Sequence, residues 1–277
     1  MSKDMPLKAL KALLTHPTAR NVSPDSAQYH LIRANIIQQK KLLRRIYLNW
    51  YRILEKSIPQ DPGGIVLEIG SSTGFSKKVI RGTVTSDIVD TSAVDMVFDA
   101  QFLPFKKNSL RAIIMMDVFH HIPDVELFLR DATRCVGTGG VIAMIEPWTT
   151  IWSALIYKYF HHEPFDKHAR DWKFQQGGPL SLSNQALPWI VFERDRKIFD
   201  QKFQEWKITS TTLHSPIKYL LSGGISMRAL WPDKLYSILK LIEYLLVPLN
   251  RYVAMFATII LKKTSSSALQ TKAGYPK

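Results

Sequence analysis

A run of small residues that could cradle a ligand lies directly after an apolar segment near residue 65. Glu68, Gly70, Ser72 and Gly74 stand in the run EIGSSTG, and IVLEIG at 65–70 predicts a β-strand that ends in this tight turn. Glycine and serine let the backbone approach a ligand closely, and the helix-compatible SKKVIR that follows would offer free N–H groups. The run therefore predicts a binding loop for a nucleotide-like ligand.

This loop resembles the first motif of the class I S-adenosylmethionine (SAM)-dependent methyltransferases, particularly their small-molecule, methyltransferase type 11-like branch. The family motif is acidic-x-Gly-x-Gly-x-Gly after a strand. Glu68, Gly70 and Gly74 match it, whereas Ser72 replaces the middle glycine. The resemblance extends over about 65–147 and implies SAM as the cofactor, with these four residues among those that bind it. Serine is small, and its hydroxyl could itself bond to the ligand.

Two carboxylates follow the loop in the order that the family shows. Asp87 closes the second predicted strand, where a carboxylate can accept both ribose hydroxyls; Asp90 is the alternative if the register differs. Asp99 and Ala100 open DAQFLPF at 99–105, which resembles the family segment that holds the amino edge of adenine beside an apolar wall. Both Asp87 and Asp99 have a second interpretation, as residues of a cap, turn or buried corner.

The segment MMDVFHHIPD at 115–124 resembles the end of the fourth strand in this family. Ligands gather beyond the carboxyl ends of the strands in an open α/β sheet, which places Asp117, His120 and His121 near the cofactor or the acceptor. Histidine titrates near neutrality, so either His120 or His121 is a candidate base for an acceptor proton. Glu146 ends the fifth predicted strand, is expected to face the acceptor cavity, and is the second base candidate.

Methyl transfer from a sulfonium requires alignment, exclusion of water and sometimes the removal of a proton, so no metal is expected. The residues whose types most suggest a metal site are His161, His162 and Glu163. Adjacent side chains point apart, so a loop or interaction segment is the favoured interpretation of these three residues.

Short β-rich runs alternate with helical stretches from residue 65 onward, which predicts a parallel sheet. The resemblance implies a Rossmann-like, mostly parallel seven-stranded sheet flanked by helices, with an N-terminal helix and helical insertions as a cap. The predicted boundaries are 1–60 for the N-terminal extension, 61–150 for the SAM-binding core, 151–263 for the cap insertions with the last two strands, and 264–277 for a polar tail. The strand runs are 65–70, 84–89, 96–100, 112–118, 141–147, 207–213 and 254–263.

Charge and composition guide the choice of partner. The net charge of +14 favours an anionic partner, and the apolar stretch 235–249 with many aromatic residues favours a small-molecule or lipid-linked acceptor. We expect peripheral association with an anionic membrane surface. The single cysteine, Cys135, and the absence of a secretory signal pattern indicate an unprocessed chain in the cytoplasm, where it can lie peripherally at the membrane.

Other functions compete with this interpretation. Nucleic-acid methylation is the enzymatic alternative, although no Asn-Pro-Pro-Tyr-type segment follows the fourth strand and Cys135 lacks the preceding proline expected for cytosine C5 chemistry. An RNA methyltransferase that works by another route stays open. Nucleic acid is therefore the less favoured partner. A non-catalytic scaffold that keeps the SAM-binding fold is supported by Ser72 and by the short segment between Asp87 and Asp99. The ordered segments at 99–105 and 117–123 argue against a dinucleotide oxidoreductase.

Overall fold

The computed structural model describes residues 14–19, 22–23, 25–161, 163–175, 178 and 182–265. Its centre is one seven-stranded sheet. The strands are β1 (Ile65–Ile69), β2 (Thr83–Asp87), β3 (Met96–Val97), β4 (Leu110–Met116), β5 (Val136–Pro147), β6 (Trp206–His214) and β7 (Phe256–Lys263).

The strand order is β3-β2-β1-β4-β5-β7-β6. β1 to β5 pair in parallel, whereas β7 pairs antiparallel with both β5 and β6. The sequence prediction of a mostly parallel, Rossmann-like sheet of seven strands is confirmed. A strand forms at every predicted run. β3 has only two residues, and β5 begins at Val136, five residues before the predicted start.

Nine α-helices flank the sheet among the described residues: α1 (Ala27–Gln39), α2 (Lys41–Ser57), α3 (Val125–Cys135), α4 (Ile151–Tyr159), α5 (Leu187–Trp189), α6 (Arg196–Lys202), α7 (Lys218–Ser222), α8 (Tyr236–Leu246) and α9 (Asn250–Val253). Shorter 3-10 turns lie at Pro17–Ala19, Phe75–Lys78, Phe119–His121, Asp233–Leu235 and Val247–Leu249, and Ile190–Arg194 forms a π-helix.

Polar side chains fix where several helices begin. Asp124 accepts hydrogen bonds from the N–H groups of Glu126 and Leu127 at the start of α3. Thr150 and Ser153 form a reciprocal capping box at the start of α4. Each such cap satisfies N–H groups that have no partner within the helix, so the sequence determines these starting points.

The N-terminal helical pattern forms two helices that are separated at Lys40. This residue has an extended backbone, with φ −84° and ψ 94°. Its ammonium donates hydrogen bonds to the carbonyls of Gly224 and Met227, at 2.8 Å for Gly224. The break therefore ties the N-terminal helices to the segment that follows α7.

The prediction of a helix after the glycine loop is wrong, because Phe75–Lys78 forms only a 3-10 turn. Eight residues, 75–82, remain between the loop and β2, and a helical crossover between parallel strands needs about a dozen or more. The short segment between Asp87 and Asp99 likewise leaves no room for a crossover helix, and no helix lies between β2 and β3 in this fully described stretch.

The core lies in two layers, one on each face of the sheet. On one face, α3 and the segment 187–206 bury Phe128, Phe192 and Phe199. On the other face, α2, α4 and α8 pack around Trp50 and Phe256. The helices of the N-terminal extension therefore share a layer with α4 and α8 of the predicted cap, whereas α5 and α6 lie on the other face.

No helix in the described part of the chain is both long and apolar enough to cross a bilayer. Of the predicted polar tail, only 264–265 are described, and residues 1–13 of the N-terminal extension also lie outside the described residues.

Candidate active site

A first cavity lies beyond the carboxyl ends of β1, β2 and β4, where the glycine loop turns. We call it the loop cavity; it encloses about 790 Å³, part of which is open to solvent. Six of the eight residues predicted to bind the cofactor line it: Gly70, Ser72, Asp87, Asp99, Ala100 and Asp117. Ile88, Phe98 and Ile122 add apolar wall beside Asp99 and Ala100.

The other two predicted cofactor residues, Glu68 and Gly74, do not line the loop cavity. The Glu68 carboxylate is buried and accepts hydrogen bonds from Tyr51 Oη at 2.7 Å, from Ser76 Oγ at 2.5 Å and from Ser71 Oγ. Burial raises the pKa of this carboxyl, and the three hydroxyl donors partly oppose the rise. Glu68 thus fixes the shape of the loop from behind rather than contacting a ligand.

Ser72 adopts the left-handed conformation that a glycine would favour, with φ +52°. Its N–H donates to Asp87 Oδ2 at 2.8 Å, and its Oγ lies 2.8 Å from His30 Nδ1. The hydroxyl therefore bonds to His30, which differs from the expectation that it bonds to the ligand. Gly70 has φ +69°, and a Cβ there would lie 2.4 Å from Val118 Cγ2, so only glycine fits.

Two basic side chains of α1 reach the loop cavity with unused polar atoms. Nε2 of His30 and Nε of Arg33 are buried and have no hydrogen-bond partner within the described residues. Both side chains line the loop cavity. A buried polar atom without a partner is costly, and an anionic ligand would satisfy both.

The loop cavity fits SAM. Asp87, at the end of β2, would be placed to accept ribose hydroxyls, Asp99 and the apolar wall would suit adenine, and His30 and Arg33 would suit the methionine carboxylate.

A second cavity lies between α1, α4 and the segment 219–227, and we call it the cap cavity. It encloses about 900 Å³, part of it open to solvent. Its walls are aromatic and apolar at Tyr157, Phe160, Tyr219, Met255 and Phe256. Its polar groups are Tyr29, Arg33, Asp117, His121, His161, Glu163, Gln185 and Ser226. The two cavities share Arg33, Asp117 and His121, so they meet at the end of β4.

His120 lies beneath this junction with no exposed surface. Its Nδ1 is 2.8 Å from Glu146 Oε2 and its Nε2 is 3.2 Å from Glu163 Oε2. Burial alone would lower the pKa of His120, but the two carboxylate bonds outweigh it and hold the pKa well above its usual value. The imidazolium therefore donates to both carboxylates, and its proton is retained.

The expectation that Glu146 faces the acceptor cavity is wrong. Glu146 is fully buried, and its Oε1 accepts the N–H groups of Val118 and Phe119 at 2.8 and 2.9 Å. Every polar contact of this carboxylate is thus internal, which makes it a support for the turn that carries His120.

His121 lines both cavities, but its protonation does not suit a base. Its Nδ1 lies 3.3 Å from the carbonyl of Leu182, and because a carbonyl only accepts, Nδ1 carries the proton. Burial, and then the positive charge of His120, lower the pKa of His121 to about 3. The ring stays neutral at physiological pH and holds a proton poorly on Nε2.

Asp117 is the group whose pKa best matches proton transfer near neutrality. Burial raises the pKa of this carboxyl to about 6; the charge of His120 opposes the rise, and Glu163 and Glu146 add to it. Its backbone is left-handed, with φ +62°, which is strained for a non-glycine residue. Asp117 was predicted only as a cofactor residue; its position on both cavities also makes it the candidate base.

The sequence analysis interpreted Glu163 as part of a loop or interaction segment, whereas the structure places it beside His120 and His121. His120, His121 and Glu163 place potential ligand atoms within 4.8 Å of one another. Glu163 also accepts a hydrogen bond from Gln185 Nε2 at 2.9 Å. His162 lies outside the described residues.

Comparisons with known proteins agree with this geometry. Residues 67–144 match the family model described as a methyltransferase domain. A SAM-dependent methyltransferase from Archaeoglobus fulgidus shares the fold at 14% identity and a TM-score of 0.50, over 79% of this chain and 94% of that chain. The geranyl diphosphate C-methyltransferase of Streptomyces coelicolor A3(2), solved with Mg²⁺, geranyl diphosphate and S-adenosyl-L-homocysteine, aligns at 12% identity and a TM-score of 0.46, over 91% and 89%. No curated protein sequence matches the chain.

The family match and the shared fold confirm the resemblance seen in the sequence. Residues 67–144 are similar to a methyltransferase domain, and the chain has the fold of a SAM-dependent methyltransferase.

Proposed function

We propose that the chain binds SAM in the loop cavity and transfers its methyl group to an acceptor held in the cap cavity. The observation that carries this proposal is the junction of the two cavities at Arg33, Asp117 and His121. In-line transfer needs donor and acceptor to meet at one point, and this is the point where the cavities meet.

Bound SAM supplies an electrophilic methyl group on a positively charged sulfur. At the junction, Asp117 takes the acceptor proton as the acceptor atom forms its bond to the methyl carbon. In such a transfer the sulfur would keep the electron pair of its bond to the methyl group, so the product of the cofactor would be S-adenosylhomocysteine (SAH). The proton ends on the Asp117 carboxylate, and the His120 imidazolium partly balances the nearby negative charges.

The lining of the cap cavity favours an amphiphilic acceptor with a proton to lose, such as a hydroxyl-bearing head group on an apolar carrier. Polar groups cluster near the junction at Glu163, Gln185 and His161, and aromatic walls at Tyr157 and Tyr219 suit rings or acyl chains. A lipid-linked small molecule combines both parts. A cytoplasmic location, suggested by the single cysteine, belongs to the same proposal.

The first experiment is calorimetric titration of the full chain with SAH, comparing Asp99→Ala with Asp200→Ala. Asp99 lines the loop cavity, whereas Asp200 is an exposed carboxylate paired with Arg196 on α6. We expect saturable binding that Asp99→Ala weakens by about tenfold or more and Asp200→Ala leaves unchanged.

Transfer is then tested with methyl-labelled SAM and total lipid, small-molecule and RNA extracts. Label in the lipid fraction that Asp117→Asn abolishes would support the proposed acceptor. Label in RNA would favour the nucleic-acid alternative. SAH binding without transfer to any fraction would favour a non-catalytic protein that keeps the fold.

A further inference from the structure

An exposed apolar surface covers the outer side of α4 and the α8–α9 segment. We call it the apolar face and define it by Ile151, Leu155, Leu241, Tyr244, Leu245 and Val247, all of which are exposed. Tyr244 and Ile151 are 73% and 72% exposed, which is unusual for large apolar side chains in a folded layer. α4 packs against α9, the short helix that follows α8 and the turn Val247–Leu249.

The exposed charges on these segments all have the same sign. Lys158, Lys240 and Arg251 are exposed, whereas Glu243, the one acidic residue in 151–159 or 236–253, is buried and paired with Lys218 at 2.7 Å. The guanidinium of Arg251 lies 4.4 Å from the centroid of the Tyr252 ring. Basic residues with long apolar stems beside an apolar helix are the composition of a surface that lies in a membrane interface.

A shallow cavity beside α8 adds room for a head group. It encloses about 480 Å³, part of it open solvent, and is lined by Lys218, Lys240, Tyr244 and Val247 among others. Because Lys218 is paired with Glu243, which also lines this cavity, the Lys240 ammonium and the apolar rim are the groups that complement an anionic group attached to an acyl chain.

We propose that the apolar face docks on an anionic lipid bilayer. A second copy of the chain is a poorer partner, because a twofold interface would bring this positively charged surface against itself. The bilayer offers apolar depth for Leu241 and Leu245 and negative charge for the surrounding basic residues.

Docking through this face would set the cap cavity beside the lipid. α4 turns Ile151 and Leu155 outward, while Ile156 and Tyr157 of the same helix line the cap cavity. One helix therefore connects the membrane surface with the place proposed for the acceptor. The docking proposal goes beyond the proposed function and does not depend on it, since binding to lipid is measured without methyl transfer.

The test is flotation of the full chain with vesicles of phosphatidylcholine alone or mixed with phosphatidylglycerol, at low and high salt. We expect flotation with the anionic vesicles that salt weakens. The double variants Leu241→Ser/Leu245→Ser and Lys240→Glu/Arg251→Glu should each reduce partitioning by about tenfold or more.

Matched controls lie on α6, in the layer on the opposite side of the sheet: Ile198→Ser, at a position that is 45% exposed, and Lys197→Glu, which is also exposed. Both should float like the parent chain, and unchanged SAH binding and melting temperature would show that every variant is folded. Equal flotation of parent and face variants, or no flotation of the parent, would overturn the proposal. A dimer in gel filtration that Leu241→Ser/Leu245→Ser dissociates would assign the face to a second copy instead.

Discussion

Nδ1 of His30, on helix α1, lies 2.8 Å from Oγ of Ser72, the residue that replaces the middle glycine of the binding loop. The bond is buried and joins residues 42 positions apart in the chain. It gives a physical reason for serine at a position whose backbone, with φ +52°, would favour glycine. The hydrogen bond to α1 offsets the strain of the left-handed conformation.

Ser72→Ala and Ser72→Gly should therefore differ. Alanine loses the hydrogen bond and keeps the strain, so we expect a loss of about 1 kcal/mol or more in the free energy of unfolding. Glycine loses the same bond but relieves about 1 kcal/mol of strain, so its stability should lie near that of the parent chain. Urea unfolding measures both; equal losses in the two variants would contradict this account of Ser72.

Arg33 is expected to hold the carboxylate of the cofactor. Arg33→Ala should weaken SAH binding by about tenfold or more, because a hydrogen bond to a charged group contributes about 1.5–3 kcal/mol. Methylthioadenosine, which lacks the amino acid part, should bind to both proteins equally. Calorimetry with the two ligands provides the comparison, and a parallel loss for both would show that Arg33 supports the cavity walls instead.

The strands and most of the cofactor cavity could be predicted from the sequence because the information is local. Asp87 and Asp99 lie at the ends of two consecutive β-rich runs that form adjacent strands, so their positions follow from the pattern. Glu163 could not be placed, because it reaches His120 across 43 residues of chain with no periodicity to mark the contact. The sequence carries a weak indication of the role of Arg33. His30 and Arg33 lie on the same helix face as the buried Ile37, where they interrupt the apolar stripe of α1.

Glu146 shows a different limit of sequence reasoning. A carboxylate at the end of a buried strand can face a ligand or support its neighbours, and both alternatives have the same sequence pattern. The structure assigns it to the N–H groups of Val118 and Phe119.

Metal removal should leave the protein unchanged, although His120, His121 and Glu163 have the composition of a cation site. The hydrogen bonds to Glu146 and Glu163 keep His120 protonated, so it has no free lone pair for a metal. We expect SAH binding and methyl transfer to survive treatment with EDTA. Loss of either activity, restored by one divalent metal and abolished by Glu163→Gln, would assign the cluster to a metal.

The rate of methyl transfer should depend on the protonation of Asp117. Its pKa of about 6 predicts a rate that rises with pH through that value and levels off above it, because only the carboxylate can accept a proton. Asp117→Asn should lower kcat by about 100-fold or more and remove this limb of the profile. Asp200→Ala, at an exposed carboxylate on α6, should keep both the rate and the limb.

The Asp117 carboxyl should also make the folded protein less stable at high pH. The folded-state pKa of Asp117, about 6, lies above the ordinary value of 3.8 for this carboxyl, so the folded state binds more protons between these two pH values. Stability is therefore lost as pH rises through this window. Asn cannot ionise, so Asp117→Asn should melt at a higher temperature than the parent above pH 6, and the gain should vanish below pH 3.8. A melting temperature that drops equally at every pH would mean that the Asp117 carboxylate is a structural support, and the base role would then need another residue.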